Sequence, residues 1–445
     1  MTVTLTEVTP AQTRALPARV QVAVVGGGQA GLSISWHLVQ RGVEHVVLER
    51  ETVAHEWAHA RWDTFCLVTP NWQCQLPGWP FRGDDPHGFM VKDEIVAYVR
   101  DYAASFSPPV HEGVAVTRLA PAPGGGYTLT TSAGEVAADQ VVLAIGGYHL
   151  PVVPPYAAVL PPHVVQIHSQ QYRNPDQLPE GDVLVVGTGQ SGAQIAEDLH
   201  LAGRQVHLAV GGAPRIARRY RGRDMVDWLQ DMGHYDMPVE QHRNGEAARM
   251  GTNHYVTGRD GGRDIDLRQF ALEGMQLYGP LAAVRDGRFA FAPELGANLD
   301  RADQVNDNAK DLVDAHIERS GVDAPVEPRY TPVWAPESEP TSLDVDLIAA
   351  VVWAIGFRAD WSWVRVPVFD GAGYPTHHRG VTAAPGLYVL GLPWLHTWGS
   401  GRFAGIARDA EFLADRITEL TASGSVTGLG RALAVAAASS AARMA

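Results

Sequence analysis

The sequence predicts an α/β protein with two dinucleotide-binding (Rossmann-like) domains, one of them inserted into the other. The first observation is length: the chain has 445 residues, and chains beyond about 250–300 residues usually divide into domains. The second is that the glycine pattern G-x-G-x-x-G occurs twice, at residues 26–31 and 187–192, one domain's length apart. The third is that each copy follows a short apolar strand and precedes a helical pattern, which is typical of a nucleotide-binding βαβ unit.

The composition narrows the classes of protein. With 45% hydrophobic and 19% charged residues the chain is an ordinary globular protein. Its net charge of −14 argues against a nucleic-acid partner, because neutralising phosphates needs a basic surface. No stretch has the length of a membrane span or of a signal peptide's apolar core. We therefore expect a cytoplasmic protein with no membrane partner, and a homodimer remains open.

The strand ends suggest how the domains are joined. Residues 144–146 and 354–356 both read Ala-Ile-Gly after an apolar strand, which suggests two places where the chain crosses between domains. The predicted division begins with a flexible N-terminus (1–18) and a first segment of the outer nucleotide-binding domain (19–155). The inserted nucleotide-binding domain with substrate-side insertions follows (156–345), and then a second segment of the outer domain (346–422). An Ala/Ser-rich tail (423–445), which we interpret as a frayed helix or disordered end, completes the division.

The two units differ where the second strand ends, and this difference predicts different ligands. Glu49 ends that strand in the first unit. A carboxylate there accepts hydrogen bonds from a ribose diol and repels a 2′-phosphate, which favours FAD or NAD. The second unit has no acid at the corresponding place, but five arginines fall within residues 215–223.

Arginine reads phosphates with two parallel hydrogen bonds, so this cluster favours NADPH, with Arg215 as the strongest candidate for the 2′-phosphate. A salt-bridged basic surface is the alternative. The residues expected to bind NADPH are Gly187, Gly189, Gln190, Ser191, Gly192, Arg215 and Arg218.

Residues 187–199, Gly-Thr-Gly-Gln-Ser-Gly-Ala-Gln-Ile-Ala-Glu-Asp-Leu, resemble the NADPH motif of the flavin-containing monooxygenases, including the plant auxin-forming branch. Residues 89–103 resemble the helix after that family's substrate-side loop, and the two Ala-Ile-Gly stretches resemble its A-T-G segments. The resemblance spans residues 20–420 and places Trp57 in the flavin loop. The residues expected to bind FAD are then Gly26, Gly28, Gln29, Ala30, Gly31, Glu49, Arg50, Trp57, Val116, Gly146 and Gly391.

One family motif is incomplete. His168 and Tyr172 fit the second half of F-x-G-x-x-x-H-x-x-x-(W/Y/F), but Pro162 and Val164 stand where the family has Phe and Gly. Tyr instead of Trp at the last position is unlike the Baeyer–Villiger subgroup. The substrate class therefore stays open.

The resemblance implies an FAD- and NADPH-dependent monooxygenase that uses O₂ and forms a C4a-(hydro)peroxyflavin attacked by a small N- or S-containing molecule. It places Asn71 near the family's active-site Asn, and His396 lies in the segment that should pass the isoalloxazine, so these two are the catalytic candidates. The alternatives for Asn71 and His396 are a turn residue and a structural histidine. The alternatives for the function are a Baeyer–Villiger or carbon oxygenase, an NADPH-dependent flavoprotein reductase, and a non-catalytic nucleotide sensor.

Two other patterns do not predict a site. His55-Glu-Trp-Ala-His59 matches the zinc-protease motif H-E-x-x-H, but it has no third ligand at a usual spacing. We therefore expect no metal. Cys66 and Cys74 are eight residues apart, which is not the spacing of a redox-active pair.

Overall fold

The computed structural model describes residues 15–422. The predicted tail at 423–445, and the predicted flexible N-terminus up to residue 14, lie outside the described residues. In chain order the strands are β1 (Arg19–Val25), β2 (His45–Leu48), β3 (Gln75–Leu76), β4 (Trp79–Pro80), β5 (Val110–His111), β6 (Val116–Pro121), β7 (Tyr127–Thr131), β8 (Gly134–Leu143), β9 (Leu150–Pro151), β10 (Val165–His168), β11 (Asp182–Val186), β12 (Val206–Ala209), β13 (Arg219–Tyr220), β14 (Arg223–Asp224), β15 (Gln276–Tyr278), β16 (Leu281–Arg285), β17 (Arg288–Phe291), β18 (Ser342–Asp344), β19 (Ile348–Trp353), β20 (Phe357–Arg358), β21 (His377–His378), β22 (Val381–Thr382) and β23 (Leu387–Val389).

The helices alternate with these strands. They are α1 (Gln29–Gln40), α2 (His55–His59), α3 (Lys92–Phe106), α4 (Gln190–Leu201), α5 (Met225–Asp231), α6 (Leu267–Leu272), α7 (Leu295–Ser320) and α8 (Ile406–Ala422). Among residues 15–422, no helix combines the length and the apolar character that crossing a membrane requires.

The first sheet has the order β21-β22-β23-β8-β1-β2-β5, with β6 and β7 joined to β8 as an antiparallel extension. Its central strands β23, β8, β1 and β2 run parallel. Helices α1, α3 and α8 cover one face of the sheet. Since β1 and β2 are buried along almost their whole length, they are continuous apolar runs, as expected for strands covered on both faces.

The second sheet is parallel, with the order β10-β19-β11-β12-β15. Its strand β19 corrects the predicted boundary at residue 346, because β19 lies between β10 and β11 and not in the first sheet. A buried strand has the same kind of apolar sequence in either sheet, so the sequence of β19 does not indicate which strands are its neighbours. The first sheet is completed later, by β23.

The chain crosses between the sheets at two places that touch each other. β9 follows the end of β8, β20 follows the end of β19, and the two short strands pair in antiparallel register. The two connections therefore form one short ribbon, and both crossings of the chain between the sheets lie in it.

Candidate functional site

The first glycine pattern forms a tight turn between β1 and α1. Gly26 has φ +104°, a conformation that favours glycine, and a Cβ on it would lie 2.6 Å from the carbonyl oxygen of Ala144. A Cβ on Gly31 would lie 1.8 Å from the carbonyl oxygen of Gly26. Both positions require glycine because the helix, the turn and the end of β8 pack against one another.

Gly28 is in the opposite situation. A Cβ there would meet nothing within 4 Å, and no side chain of the described residues caps the first turn of α1. Free amides at a helix N-terminus attract phosphate groups. The open position at Gly28, followed by the backbone of Gln29 and Ala30, fits the pyrophosphate of a dinucleotide such as FAD.

Glu49 lies beside this turn, at the end of β2. Its Oε2 accepts a hydrogen bond from the backbone N–H of Gly27 at 2.6 Å, and its Oε1 accepts one from the backbone N–H of Glu51 at 2.9 Å. These bonds fix the carboxylate next to the turn. Each carboxylate oxygen can accept a further bond, so binding of a ribose diol by Glu49 stays a prediction.

A set of contacts joins the start of α1 to the segment before α8. Gln29 donates from Nε2 to the carbonyl oxygen of Gly401 at 3.0 Å and accepts from Trp57 Nε1 at 3.2 Å. The ring of Trp57 stacks on Phe403, with centroids 5.7 Å apart. Gln29 and Trp57, predicted separately, are thus parts of one wall, to which Phe403 adds a ring that the sequence did not single out.

The remaining residues predicted for this cofactor are more dispersed. Gly391 has φ +83° and packs on the start of α1, where a Cβ on it would lie 2.7 Å from the Cβ of Ala30. Gly146 has φ +71° with open space around it. Arg50 is exposed and forms a surface ion pair with a glutamate of α2, and Val116 is half-buried in β6. Gly391 thus lies against the start of α1, whereas Arg50 and Val116 have partners or positions outside the first glycine turn.

The second glycine pattern repeats the geometry of the first. Gly187 has φ +103°, and a Cβ on it would lie 2.7 Å from the carbonyl oxygen of Ala354. A Cβ on Gly192 would lie 2.0 Å from the carbonyl oxygen of Gly187, whereas one on Gly189 would meet only Thr252, at 3.9 Å. The repeated Ala-Ile-Gly stretches are now explained, because each supplies the alanine carbonyl that closes on the first glycine of its own turn.

The start of α4 is also open to a ligand. No side chain of the described residues caps it, and Ser191 is half-buried in its first turn. Gln190 donates from Nε2 to the carbonyl oxygen of Val256 at 2.6 Å, which fixes the loop that faces this turn. The arrangement fits a second dinucleotide at the second sheet.

The arginine cluster does not lie free at this site. Arg215 is buried, donates from Nε to Asp303 at 2.5 Å, and lies over the ring of Tyr330 at 4.1 Å. Arg218 is buried as well and donates from its two Nη atoms to Asp224 at 2.6 Å and to the carbonyl oxygen of Val68 at 2.7 Å.

Two further members of the cluster, Arg221 and Arg223, each form an ion pair with an aspartate, with nitrogen–oxygen distances of 2.7 Å. Arg215 and Arg218 are thus engaged with groups of the protein itself, and their binding of a phosphate stays a prediction. The salt-bridged alternative describes most of this cluster better.

Asn71 holds a loop together. Its Oδ1 accepts from the backbone N–H of Met90 at 2.7 Å, and its Nδ2 donates to the carbonyl oxygen of Asp85 at 3.0 Å. The side chain is only 6% exposed. Both ends of the amide are engaged within the loop, so Asn71 has a structural contact, and its contact with a ligand stays a prediction.

His396 lies in a turn that is anchored by a hydroxyl. Ser400 Oγ accepts from the backbone N–H groups of His396 and Thr397 at 3.0 and 3.1 Å. Burial lowers the pKa of the imidazole, and its buried Nδ1 has no hydrogen-bond partner among the described residues. His396 is therefore a neutral side chain with one free ring nitrogen, five positions before the Gly401 that Gln29 binds.

Sequence reasoning missed two arginines near the aromatic wall. Arg61 lies over the ring of Trp57 at 5.1 Å, and Arg402 lies over the ring of Trp398 at 3.8 Å. Burial lowers the pKa of both guanidinium groups. Arg402 also donates to Asn253 Oδ1 at 2.9 Å, which joins the two domains. Each is a single arginine outside any motif, so only the folded chain reveals them.

Asp198 of α4 joins the domains at a second place. It is 3% exposed and accepts hydrogen bonds from Thr64 Oγ1 at 2.6 Å, from the hydroxyl of Tyr172 at 2.7 Å and from Arg259 at 2.8 Å. The tyrosine that fits the incomplete family motif thus serves as a donor to a buried carboxylate.

Comparisons with known proteins agree with this architecture. A family model described as pyridine nucleotide-disulphide oxidoreductase matches residues 23–252. The CzcO-like oxidoreductase of Geobacillus kaustophilus is 32% identical over 400 residues, which cover 89% of this chain and 98% of that protein. The molecule is therefore a flavin-dependent oxidoreductase. More particularly, the chain belongs to the pyridine nucleotide-disulphide oxidoreductase family.

Other relatives are named as monooxygenases. The indole-3-pyruvate monooxygenase YUCCA1 of Oryza sativa subsp. japonica is 32% identical over 213 residues, 47% of this chain and 52% of that protein. The structure of the flavin-containing monooxygenase from Stenotrophomonas maltophilia has a TM-score of 0.65 at 20% identity and covers 91% of this chain and 100% of that one. The resemblance to flavin-containing monooxygenases and the predicted two-domain α/β fold are thus confirmed.

The fold is shared with a reductase too. The bacillithiol disulfide reductase from Staphylococcus aureus has a TM-score of 0.59 at 13% identity and covers 91% of this chain and 99% of that one. At these identities the likeness shows the fold alone, so the choice between oxygenation and reduction has to rest on the residues of this chain.

Proposed function

We propose that the protein is an FAD- and NADPH-dependent monooxygenase that transfers one oxygen atom from O₂ to a small nitrogen- or sulfur-containing molecule. FAD would bind at the first glycine turn and NADPH at the second. When bound, FAD would supply the chemistry that the side chains lack, which is acceptance of a hydride from the nicotinamide and reaction with O₂.

The observation that carries the choice of reaction is the state of the cysteines. The chain has two, Cys66 and Cys74, and both are buried, free thiols. Burial raises the pKa of Cys66 to about 11 and that of Cys74 to about 12. Because the thiolate is the reactive form, neither serves as the redox-active thiol of a disulfide reductase. This favours O₂ over an internal disulfide as the acceptor of electrons from a reduced flavin.

The remaining residues position the cofactors and keep water out. The Gly28 and Gly189 turns leave room for phosphates, and Gln29 links the first turn to the segment that carries Gly401. The stacked rings of Trp57 and Phe403 form an apolar wall beside that segment, and excluding water in this way protects reactive species from hydrolysis.

Of the two catalytic candidates, His396 keeps a chemical role in this proposal. Its lowered pKa makes it neutral near pH 7, so it adds no charge to the turn that leads to Gly401, and its buried Nδ1 keeps an unused hydrogen-bonding position. Asn71 is assigned a positioning role, because its amide holds residues 85–90 in place.

The test uses the flavin-loaded enzyme, NADPH and isotopically labelled O₂ with a panel of amines, thioethers and ketones. We expect one labelled oxygen atom per product molecule, with NADPH and O₂ consumed in equal amounts. Label found only with ketones would indicate a Baeyer–Villiger oxygenase. NADPH oxidation that yields hydrogen peroxide and leaves every compound unlabelled would refute oxygen transfer, and NADPH oxidation that proceeds without O₂ when a disulfide or quinone is added would indicate a reductase. A flavin that NADPH does not reduce under argon would overturn the enzymatic proposal as a whole.

A further inference from the structure

The place where the second dinucleotide's ribose would lie is marked by the end of β12. In dinucleotide-binding units, the residues that follow the second strand contact the substituent at the ribose 2′ position. Here β12 ends at Ala209 and continues with Val210, Gly211 and Gly212. None of them carries a side chain that could hydrogen-bond a ribose or a phosphate, so any such group has to come from another element.

One guanidinium group reaches this strand end from helix α7. A Cβ on Gly212 would lie 3.3 Å from Arg301 Nη1. Arg301 Nη1 donates to Asn298 Oδ1 at 2.7 Å, and Asn298 donates from Nδ2 to the carbonyl oxygen of Val210 at 3.1 Å. The buried Asn298 thus tethers an exposed arginine beside two glycines whose missing side chains leave it accessible.

The charges around Arg301 leave it available to an anion. Its acidic neighbours on α7 are Asp300 and Asp303, and both pair with Arg268, at 2.6 and 2.9 Å, while Asp303 also pairs with Arg215 at 2.5 Å. Arg301 itself forms no ion pair with the described residues. Arg268, together with the predicted Arg215, thus neutralises the two aspartates next to Arg301.

From this geometry we infer that Arg301 binds the 2′-phosphate of NADPH and thereby sets the preference for NADPH over NADH. The inference rests on the proposed function, since it assumes that the second glycine turn holds a nicotinamide dinucleotide. Arg301 is a specificity-determining residue in this assignment: it donates to the phosphate oxygens and takes no part in hydride transfer.

The experiment compares dissociation constants of NADP⁺ and NAD⁺, measured by calorimetry on the flavin-loaded enzyme, for the native protein, Arg301→Ala and Arg301→Lys. Loss of a charge-assisted contact should weaken NADP⁺ binding about 10- to 100-fold, whereas NAD⁺ binding should stay unchanged. Arg301→Lys should recover part of the affinity, because it keeps the charge but not the forked donors. Arg319→Ala removes another exposed arginine from the same helix and is the matched control, with both constants at the native values.

The outcomes separate this inference from the proposed function. If the native enzyme binds NAD⁺ as tightly as NADP⁺, the NADPH assignment itself fails. If the native enzyme prefers NADP⁺ and Arg301→Ala keeps that preference, only the role of Arg301 is refuted. Equal weakening of both nucleotides in Arg301→Ala would show a structural role for this residue and would refute the inference as well.

Discussion

Gly28 and Gly31 of the first turn should respond in opposite ways to substitution by alanine. A Cβ at position 28 meets nothing within 4 Å, and Gly28 already has φ −75°, which alanine adopts. Alanine is a poorer N-cap than glycine, which destabilises the folded state by roughly 0.5–1 kcal/mol. Alanine also reduces the conformational entropy of the unfolded chain, which stabilises the folded state by a similar amount, about 0.4–1 kcal/mol. Gly28→Ala should therefore leave the apoprotein's stability nearly unchanged.

The added methyl group would nevertheless occupy the space proposed for the pyrophosphate. Keeping phosphate oxygens away from even one backbone N–H should weaken FAD binding about 10- to 100-fold, since a hydrogen bond to a charged group contributes about 1.5–3 kcal/mol. At position 31, by contrast, the Cβ would lie 1.8 Å from the Gly26 carbonyl. The helix must move by roughly 1 Å, and Gly31→Ala should cost about 1–3 kcal/mol of apoprotein stability.

The assay is thermal unfolding of each apoprotein together with fluorescence titration of FAD into it. Gly189→Ala and Gly192→Ala form the matched pair at the second turn and should leave FAD affinity at the native value, since their turn serves the other nucleotide. A native FAD affinity for Gly28→Ala would refute the pyrophosphate site, and a native unfolding temperature for Gly31→Ala would refute the steric reasoning.

Three further outcomes can be checked together. Burial raises the pKa of Asp409 from 3.8 to about 6. Between these pH values the folded protein binds one more proton at Asp409 than the unfolded chain does, so its stability falls as the pH rises from about 4 to about 6. Asp409→Asn should flatten this fall when unfolding temperatures are recorded against pH, and an unchanged slope would contradict the prediction. Arg218→Ala should destabilise the protein by about 3–5 kcal/mol in urea unfolding, because it leaves Asp224 buried without its partner, and should keep the native preference for NADP⁺; a lost preference would return Arg218 to the phosphate site. In the folded protein Cys66 and Cys74 should resist iodoacetamide at pH 7, as followed by mass spectrometry, and rapid labelling of either thiol would reopen the case for a disulfide reductase.

The parts of the fold that the sequence predicts well are those set by local geometry. A glycine turn between a strand and a helix is defined by residues within a dozen positions, so both turns, from Gly26 and from Gly187, could be placed without a structure. The role of the two Ala-Ile-Gly stretches was visible as a repeat, but their carbonyl contacts with the glycines needed the folded chain.

The parts of the fold and of the site that the sequence did not predict depend on contacts between residues far apart in the chain. Arg215 looked like a phosphate ligand because its partner Asp303 lies 88 residues later on a helix that the sequence left unassigned. The same helix carries Arg301, which no local pattern relates to the end of β12. The strand Ile348–Trp353 was given to the wrong sheet for a similar reason, since its apolar residues do not specify which strands become its neighbours.

The interleaved order of the two sheets has a consequence for how the protein is made. A ribosome delivers the last strand of the second sheet, Ile348–Trp353, before Leu387–Val389, which completes the first sheet. The hydrogen bond between Gln29 and Gly401 spans 372 residues. During synthesis the inserted domain can therefore finish folding while the outer one still waits for its final strand, and the first glycine turn acquires its full set of neighbours only when the chain is almost complete.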